Sequence, residues 1–306
     1  MTMQNNPFTA TKKFFRTDHD IFHVIGSDRE VTVLARKRYP FEPKELWQKE
    51  YRRMLQTALS FLSAGKDEII WAAYGALEDD FYEYDLENVL FYNIGTGWFR
   101  QSSVNGFYFT GLSPEEILRM QEENGILRDF SHAFTYRFQQ TERSLPRSKG
   151  DLLAAWAPIP IFPVTTNCHP LDYWKWVKEN LSSFKVAQGQ YQGPFSVHLV
   201  LDTPKISDIN TTSLAKCLLD GLICAFHSAA DTMCLSNFCG QLNCPVHWLE
   251  NVQTAPLGKR EYIRPYRGNS FIWNPADGKC KECSLQVRYN CNQWRLEGLI
   301  ATLENK

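Results

Sequence analysis

The chain has almost no net charge: 33 lysines and arginines stand against 34 aspartates and glutamates, a balance of -1. That argues against a protein that coats DNA through bulk positive charge, although a balanced total leaves room for a local basic groove. Long apolar runs are also lacking. No segment approaches the roughly 20 apolar residues that span a bilayer, so no membrane partner is expected. Met1-Thr2-Met3-Gln4-Asn5-Asn6-Pro7 has no apolar core typical of a signal peptide, and a cytoplasmic location is the expectation. The nine cysteines are odd in number and gather towards the C-terminal third, unlike an evenly stapled secreted scaffold. Reduced thiols are expected. What is present is a 306-residue chain with 43% hydrophobic residues, enough for one large core or two ordinary ones, with two as the expectation.

Read along the chain, Arg29 to Pro40 opens with β-branched residues and stops at a proline, the pattern of a strand entering a turn. Leu46, Tyr51, Met54, Leu55, Leu59 and Leu62 recur at helical spacing between Pro43 and Leu62. A strand at Glu68 to Tyr74, an acidic tract, and an aromatic, hairpin-like region from Trp98 to Phe109 follow. Ser113-Pro114-Glu115-Glu116 marks a helix start, since serine caps, proline suits the first turn and glutamate favours the dipole. Phe130 to Gln139 reads as a closing strand. The polar stretch from Glu142 to Gly150, broken by Pro146, is the candidate linker. It divides the chain into 1–145 and 151–306.

The second part repeats the order of the first: a strand (Ala155 to Val164), a helix (Leu171 to Phe184), a strand (Phe195 to Leu201), then an acidic cluster. From Ser213 to Phe226 one helical face is apolar, while Lys216 and Asp220 sit four apart on another. An irregular insert over 227–269 precedes two closing strands, Ser284 to Tyr289 and Trp294 to Leu299, joined by a turn at Asn290-Cys291-Asn292. The fold class expected is α+β, with two similar lobes, each a small mixed sheet with packed helices.

One ordered string carries more than its parts. Gly193-Pro194, the alternating Val197 to Leu201, Pro204, Asp208-Ile209-Asn210 and Leu214-Ala215-Lys216-Cys217-Leu218-Leu219-Asp220-Gly221-Leu222 together resemble the RusA-type Holliday-junction resolvases, metal-dependent endonucleases that act as homodimers on branched DNA. The resemblance covers about residues 154 to 300, and Asp277 stands five residues before Glu282 as in that family. Asn210 replaces a family aspartate, which keeps an oxygen ligand but removes a negative charge, weakening Mg²⁺ binding. The first half resembles the pattern more faintly at Asp85-Leu86-Glu87-Asn88, with Arg36-Lys37-Arg38 where the family carries basic residues. A fused pseudo-dimer with one composite site is then the simplest account.

The resemblance implies Mg²⁺- or Mn²⁺-dependent phosphodiester hydrolysis, with Asp208, Asn210, Lys216, Asp220 and Asp277 as catalytic residues. Asp208, Asn210 and Asp277 would hold the metal, and Asp85 and Glu87 form a second, weaker metal candidate. The partner implied is nucleic acid, branched DNA above all. The alternative is an inactive nuclease-fold scaffold that mediates protein interactions in a larger assembly. Read without the family, Asp208 and Asn210 start a turn and cap a helix; Asp85 and Glu87 continue a solvated acidic loop; Asp220 pairs with Lys216 on a helix face. Arg36, Lys37, Arg38, Lys259, Arg260, Arg264 and Arg267, with interleaved tyrosines, are candidate nucleic-acid contacts. Cys239, Cys244, Cys280 and Cys283 are a candidate zinc set, although residues three apart on a regular strand point to opposite faces.

Overall fold

The computed structural model describes residues 15–77, 84–126, 130–141, 145, 150–165, 167–205, 209–229, 235–250, 252–266 and 270–303. In chain order the first half forms β1 (Phe15–Asp18), β2 (Phe22–Gly26), β3 (Glu30–Ala35), α1 (Leu46–Leu59), β4 (Glu68–Ala76), β5 (Gly106–Gly111), α2 (Pro114–Glu123) and β6 (His132–Gln140). The second half continues with β7 (Leu152–Pro160), α3 (Pro170–Glu179), β8 (Phe184–Val186), β9 (Phe195–Asp202) and α4 (Thr211–Ala225). Then come β10 (Ser228–Ala229), α5 (Leu235–Leu242), α6 (His247–Glu250), β11 (Lys259–Arg260), β12 (Ile263–Tyr266), β13 (Ser270–Trp273), β14 (Cys280–Arg288) and β15 (Arg295–Thr302).

Eleven of these strands make one mixed sheet, ordered β1-β2-β3-β6-β4-β5-β14-β9-β15-β7-β8. The fold is therefore α+β with a large mixed sheet. Its seam is the antiparallel pairing of β5 with β14, where Phe107 faces Leu285 and Thr110 faces Glu282. Away from the seam both halves follow one series. β5 pairs β4 in parallel, β4 pairs β6 and β6 pairs β3 antiparallel; β14 pairs β9 in parallel, β9 pairs β15 and β15 pairs β7 antiparallel. In each half a helix lies in the chain between the last strand of that series and its second, α1 between β3 and β4 and α3 between β7 and β9.

Strand alternation divides the apolar residues between two faces. Ile70, Ala72 and Tyr74 of β4 join the large core beneath α1, α3 and α4, whereas Ala73 points the other way, into a smaller cluster with Ile117 of α2. Along β9, Phe195, Val197, Leu199 and Leu201 belong to the large core. On the reverse face His198 bonds Ser284 Oγ at 2.9 Å, and burial holds its imidazole down at about 4 and hence neutral. The large core contains residues from both halves, Tyr51 and Phe107 as well as Trp174 and Leu222. Gly106 lets the seam close: its φ of +132° lies in the region open to glycine, and a Cβ there would meet the Leu285 carbonyl oxygen at 2.0 Å.

Several expectations change. The aromatic stretch after Trp98 is no hairpin: a 3-10 turn over Thr96–Phe99 leads to β5, whose partners are β4 and β14. β14 and β15 do exist, yet β9 lies between them, so the turn at Asn290 joins strands that do not pair. The insert holds helices and short strands in place of irregular chain. Most of the linker, residues 142–144 and 146–149, lies outside the described residues. Cys168 and Cys217 are joined in a disulfide, contrary to the expectation of reduced thiols throughout. Among the described residues no helix is long and apolar enough to cross a membrane.

Candidate active site

The site is built on α4, and α4 is fixed by its N-terminus. Asn210 caps the helix, its Oδ1 accepting from the Ser213 backbone N–H at 3.4 Å and from Thr212 Oγ1 at 2.8 Å. The same side chain crosses to the first half: Nδ2 donates to the Thr96 carbonyl at 3.1 Å, and Ser103 Oγ donates to Oδ1 at 3.1 Å. Thr211 Oγ1 donates to the Ser103 carbonyl at 2.7 Å, and Ser213 Oγ meets Thr96 Oγ1 at 3.0 Å. Each bond satisfies a group that the helix end or the turn would otherwise leave unpaired. Asn210 is thus engaged as a cap and a tie, and its Oδ1 is taken up by protein donors. Against α3, Gly221 permits close approach, since a Cβ would lie 2.4 Å from the Pro170 carbonyl oxygen.

A turn and a half along α4, Lys216 reaches into four carboxylates. Its Nζ lies 2.8 Å from Asp277 Oδ2, 3.1 Å from Asp220 Oδ1, 3.2 Å from Asp85 Oδ2 and 4.0 Å from Glu87 Oε2. Asp85 and Glu87 come from the segment after β4, Asp220 from α4 itself, and Asp277 from the 3-10 turn that enters β14. The cluster therefore draws on both halves. Glu87 is 3% exposed, and neither of its carboxylate oxygens has a hydrogen-bond partner. The expectation of a solvated acidic loop at Asp85 and Glu87 is overturned by this burial. Lys281, at the start of β14, donates to the Tyr84 carbonyl at 2.9 Å.

Burial and neighbouring charge set the protonation states. Burial first, then Asp277, raise Asp85 to about 7. Burial also lifts Glu87 well above the ordinary carboxylate value, with Asp85 adding to it. Asp220 is raised by burial to about 6, against the pull of Lys216. For Asp277 burial works upward, but Lys216 and a hydrogen bond from the Asp85 carboxyl outweigh it and hold the group below its ordinary value. Burial opposes the Lys216 ammonium, yet Asp85, Asp220, Asp277 and Glu87 together raise it well above a free lysine. Lys281 is lowered by burial to about 8. The cluster thus divides its acids, with Asp85, Glu87 and Asp220 raised and Asp277 lowered, and the oppositely shifted Asp85 and Asp277 come one from each half. This is the arrangement that proton-transfer chemistry uses.

The cluster opens on a cavity of about 490 Å³, lined by Arg38, Phe41, Tyr84, Asp85, Tyr92 and Lys216 among others. Arg36, Lys37 and Arg38 follow β3, and each cation lies over a ring: Phe130 at 5.8 Å, Trp47 at 5.7 Å and Tyr84 at 4.4 Å. Of these, Arg38 lines the cavity. Lys259 and Arg260 line a different hollow with Lys279 and His227, and Arg264 pairs with Glu261 at 3.1 Å. Asp208 and Arg267 lie outside the described residues.

The cysteines do not assemble as a zinc set. Cys244 N–H donates to the Cys239 carbonyl at 3.1 Å, and Cys280 and Cys283 are neighbours of each other. A bulge between Cys280 and Glu282 adds a residue to β14, so the two cysteines three apart share a face, unlike those on a regular strand. Among the described residues no group of three or more histidines, cysteines, aspartates or glutamates converges to hold a metal ion; Lys216 Nζ takes the middle of the carboxylate cluster.

Sequence reasoning picked out Lys216, Asp220 and Asp277 and kept Asp85 and Glu87 as weaker candidates; it missed Lys281, Ser103 and Thr96. Val89-Leu90-Phe91, all buried, is the signal that the acids before them enter the core. Compared with protein-family models, curated proteins and solved structures, the chain matches none.

Proposed function

We propose that the chain is a nuclease-fold protein of the RusA type, two family-like halves fused in one chain, acting on nucleic acid by metal-dependent phosphodiester hydrolysis. The observation that carries the reading is the single cluster of Asp85, Glu87, Lys216, Asp220 and Asp277, assembled across a seam between halves with the same strand series. A homodimer made into one chain keeps such a seam and is free to merge two sites into one. The acids supply carboxylate oxygens, the donor type a hard divalent cation takes, but Lys216 Nζ already lies within 3.2 Å of three of them and no three converge on one point among the described residues. Asp85, Glu87 and Asp277 would hold Mg²⁺ or Mn²⁺ only with Lys216 drawn away from Asp85 and Asp277; the ion would then supply an activated water and neutralise charge on the phosphate. Of the chain's own groups, Lys216 offers a positive charge to the scissile phosphate and Asp85, titrating near 7, a proton. Arg38 at the cavity wall offers a guanidinium to a backbone phosphate.

A second reading follows from Lys216 itself. An ammonium already balanced by four carboxylates is also how a nuclease fold that has lost catalysis would neutralise its old site, leaving a scaffold for protein partners. Cleavage decides between them. Four-way junction, flap and single-stranded DNA, and RNA, are incubated with Mg²⁺ or Mn²⁺ and with wild type, Asp85→Asn and Asp277→Asn. Cutting that requires metal and is lost in both variants, one from each half, supports the composite enzyme. Absence of cutting by wild type on every substrate refutes hydrolysis and leaves the scaffold.

A further inference from the structure

Two large rings stand at the rim of the cavity with much of their surface in water. Phe41 is 56% exposed and Tyr92 47% exposed, and the rings lie parallel within 7° at a centroid distance of 5.8 Å. They come from different places, Phe41 from the turn after β3 and Tyr92 from the π-helical segment Asn88–Tyr92, so no local rule of spacing pairs them. Both line the same hollow as Arg38, Asn88, Asn93, Asp85 and Lys216. The hollow of about 490 Å³ falls in the range of about 300–1,000 Å³ that small-ligand sites occupy.

A stacked pair of half-exposed rings, a guanidinium within the same wall, amide groups beside them and acid–base groups at the floor together suit one ligand chemistry: a planar heteroaromatic base on a phosphorylated sugar. We propose that this cavity receives a single unpaired nucleotide, its base stacked on the Phe41–Tyr92 ledge and its phosphate directed between Arg38 and Lys216. The proposal rests on the nucleic-acid reading and sharpens it. A base inside a duplex has both faces covered by neighbouring pairs, so only an unpaired or flipped base can present a face to a side chain. The substrate class is then nucleic acid with an unpaired nucleotide, as at a branch, a bulge or a single-stranded segment. Fully paired duplex is excluded from the ledge.

The test uses the full-length protein in EDTA, with three fluorescein-labelled DNA duplexes: fully paired, carrying one unpaired 2-aminopurine, and carrying an abasic residue at that position. Anisotropy reads affinity and 2-aminopurine emission reads stacking. Wild type should bind the bulged duplex about tenfold more tightly than the paired one, in line with alanine losses at base-stacking aromatics, and should quench the 2-aminopurine. The abasic duplex should bind like the paired one. Phe41→Ala with Tyr92→Ala should erase the preference, while Phe41→Tyr with Tyr92→Phe keeps it; circular dichroism checks that each variant is folded. Equal binding of all three duplexes by wild type, or a preference that survives the alanine pair, overturns the ledge and leaves the nucleic-acid reading standing. Absence of binding to every duplex overturns both.

Discussion

Replacing Lys216 by methionine keeps the length of the side chain and removes its charge, and the consequence depends on pH. In the wild type one ammonium serves three carboxylate oxygens within 3.2 Å. Removing one partner of a buried pair costs about 3–5 kcal/mol, because the other charge remains buried. Here the acids have a way out, since each proton taken up cancels one stranded charge. Asp85 already titrates near 7 and Asp220 near 6 with the lysine in place, and both move higher without it. A carboxyl whose folded pKa is raised contributes stability that is fully present below its unfolded pKa of about 4 and lost as pH rises through the folded value. The variant should therefore be about 4 kcal/mol less stable than wild type at pH 8 but only about 1 kcal/mol less stable at pH 5. At about 2–4 °C per kcal/mol for a chain of this order of size, melting followed by circular dichroism should drop by roughly 8–16 °C at pH 8 and by roughly 2–4 °C at pH 5. A loss of equal size at both pH values would mean that the methionine disturbs packing and that the charges play no part. No loss at pH 8 would refute the buried cluster outright.

Asn210→Ala should destabilise the protein by about 2 kcal/mol, combining the usual cost of a lost N-cap with loss of the Nδ2 bond to the Thr96 carbonyl, read from the urea midpoint. Gly106→Ala forces a Cβ to within 2.0 Å of the Leu285 carbonyl oxygen and should cost about 3 kcal/mol or more through overpacking and positive-φ strain; Gly97→Ala, whose Cβ meets nothing within 4 Å, is the control and should stay within about 0.5 kcal/mol. Titration of thiols in denaturant without reductant should leave Cys168 and Cys217 unreactive while Cys224, Cys239, Cys244, Cys280, Cys283 and Cys291 react. Reduction of the Cys168–Cys217 bond, which closes a separation of 49 residues, should lower stability by about 4 kcal/mol on the chain-entropy account.

Much of the secondary structure was legible because its signals are local. The alternation of β9, the Ser113 cap of α2 and the apolar face of α4 depend on residues within a turn or two of each other, and each element stands where its pattern predicts. Sheet order is another matter. β14 and β15 look like a hairpin because only six residues separate them, yet β9 enters between them from some 80 residues earlier in the chain. The site divides in the same way. Lys216 and Asp220 announce themselves as an i,i+4 pair, whereas Asp85 reaches Lys216 across 131 residues, a separation that no window of sequence spans. Asn210 misleads for a chemical reason: a side-chain oxygen that accepts from a helix end is the same oxygen that a cation takes. The bulge in β14 hides likewise, since the backbone and not the identity of Cys280 or Cys283 turns them to one face.

The pairing of β5 with β14 also has a consequence in time. β5 is complete once Gly111 is made, but its partner across the seam begins only at Cys280. About 170 residues separate the two, so at about 5–20 residues per second the ribosome leaves the first half waiting for roughly 10–30 s. Throughout that interval the innermost strand of the finished sheet is an open edge, the surface on which stray strands add and chains aggregate. The half-made protein is most vulnerable at the place where the finished one is most deeply joined, and the rate of synthesis, or a chaperone held at the nascent chain, should govern its yield more than any contact in the native fold.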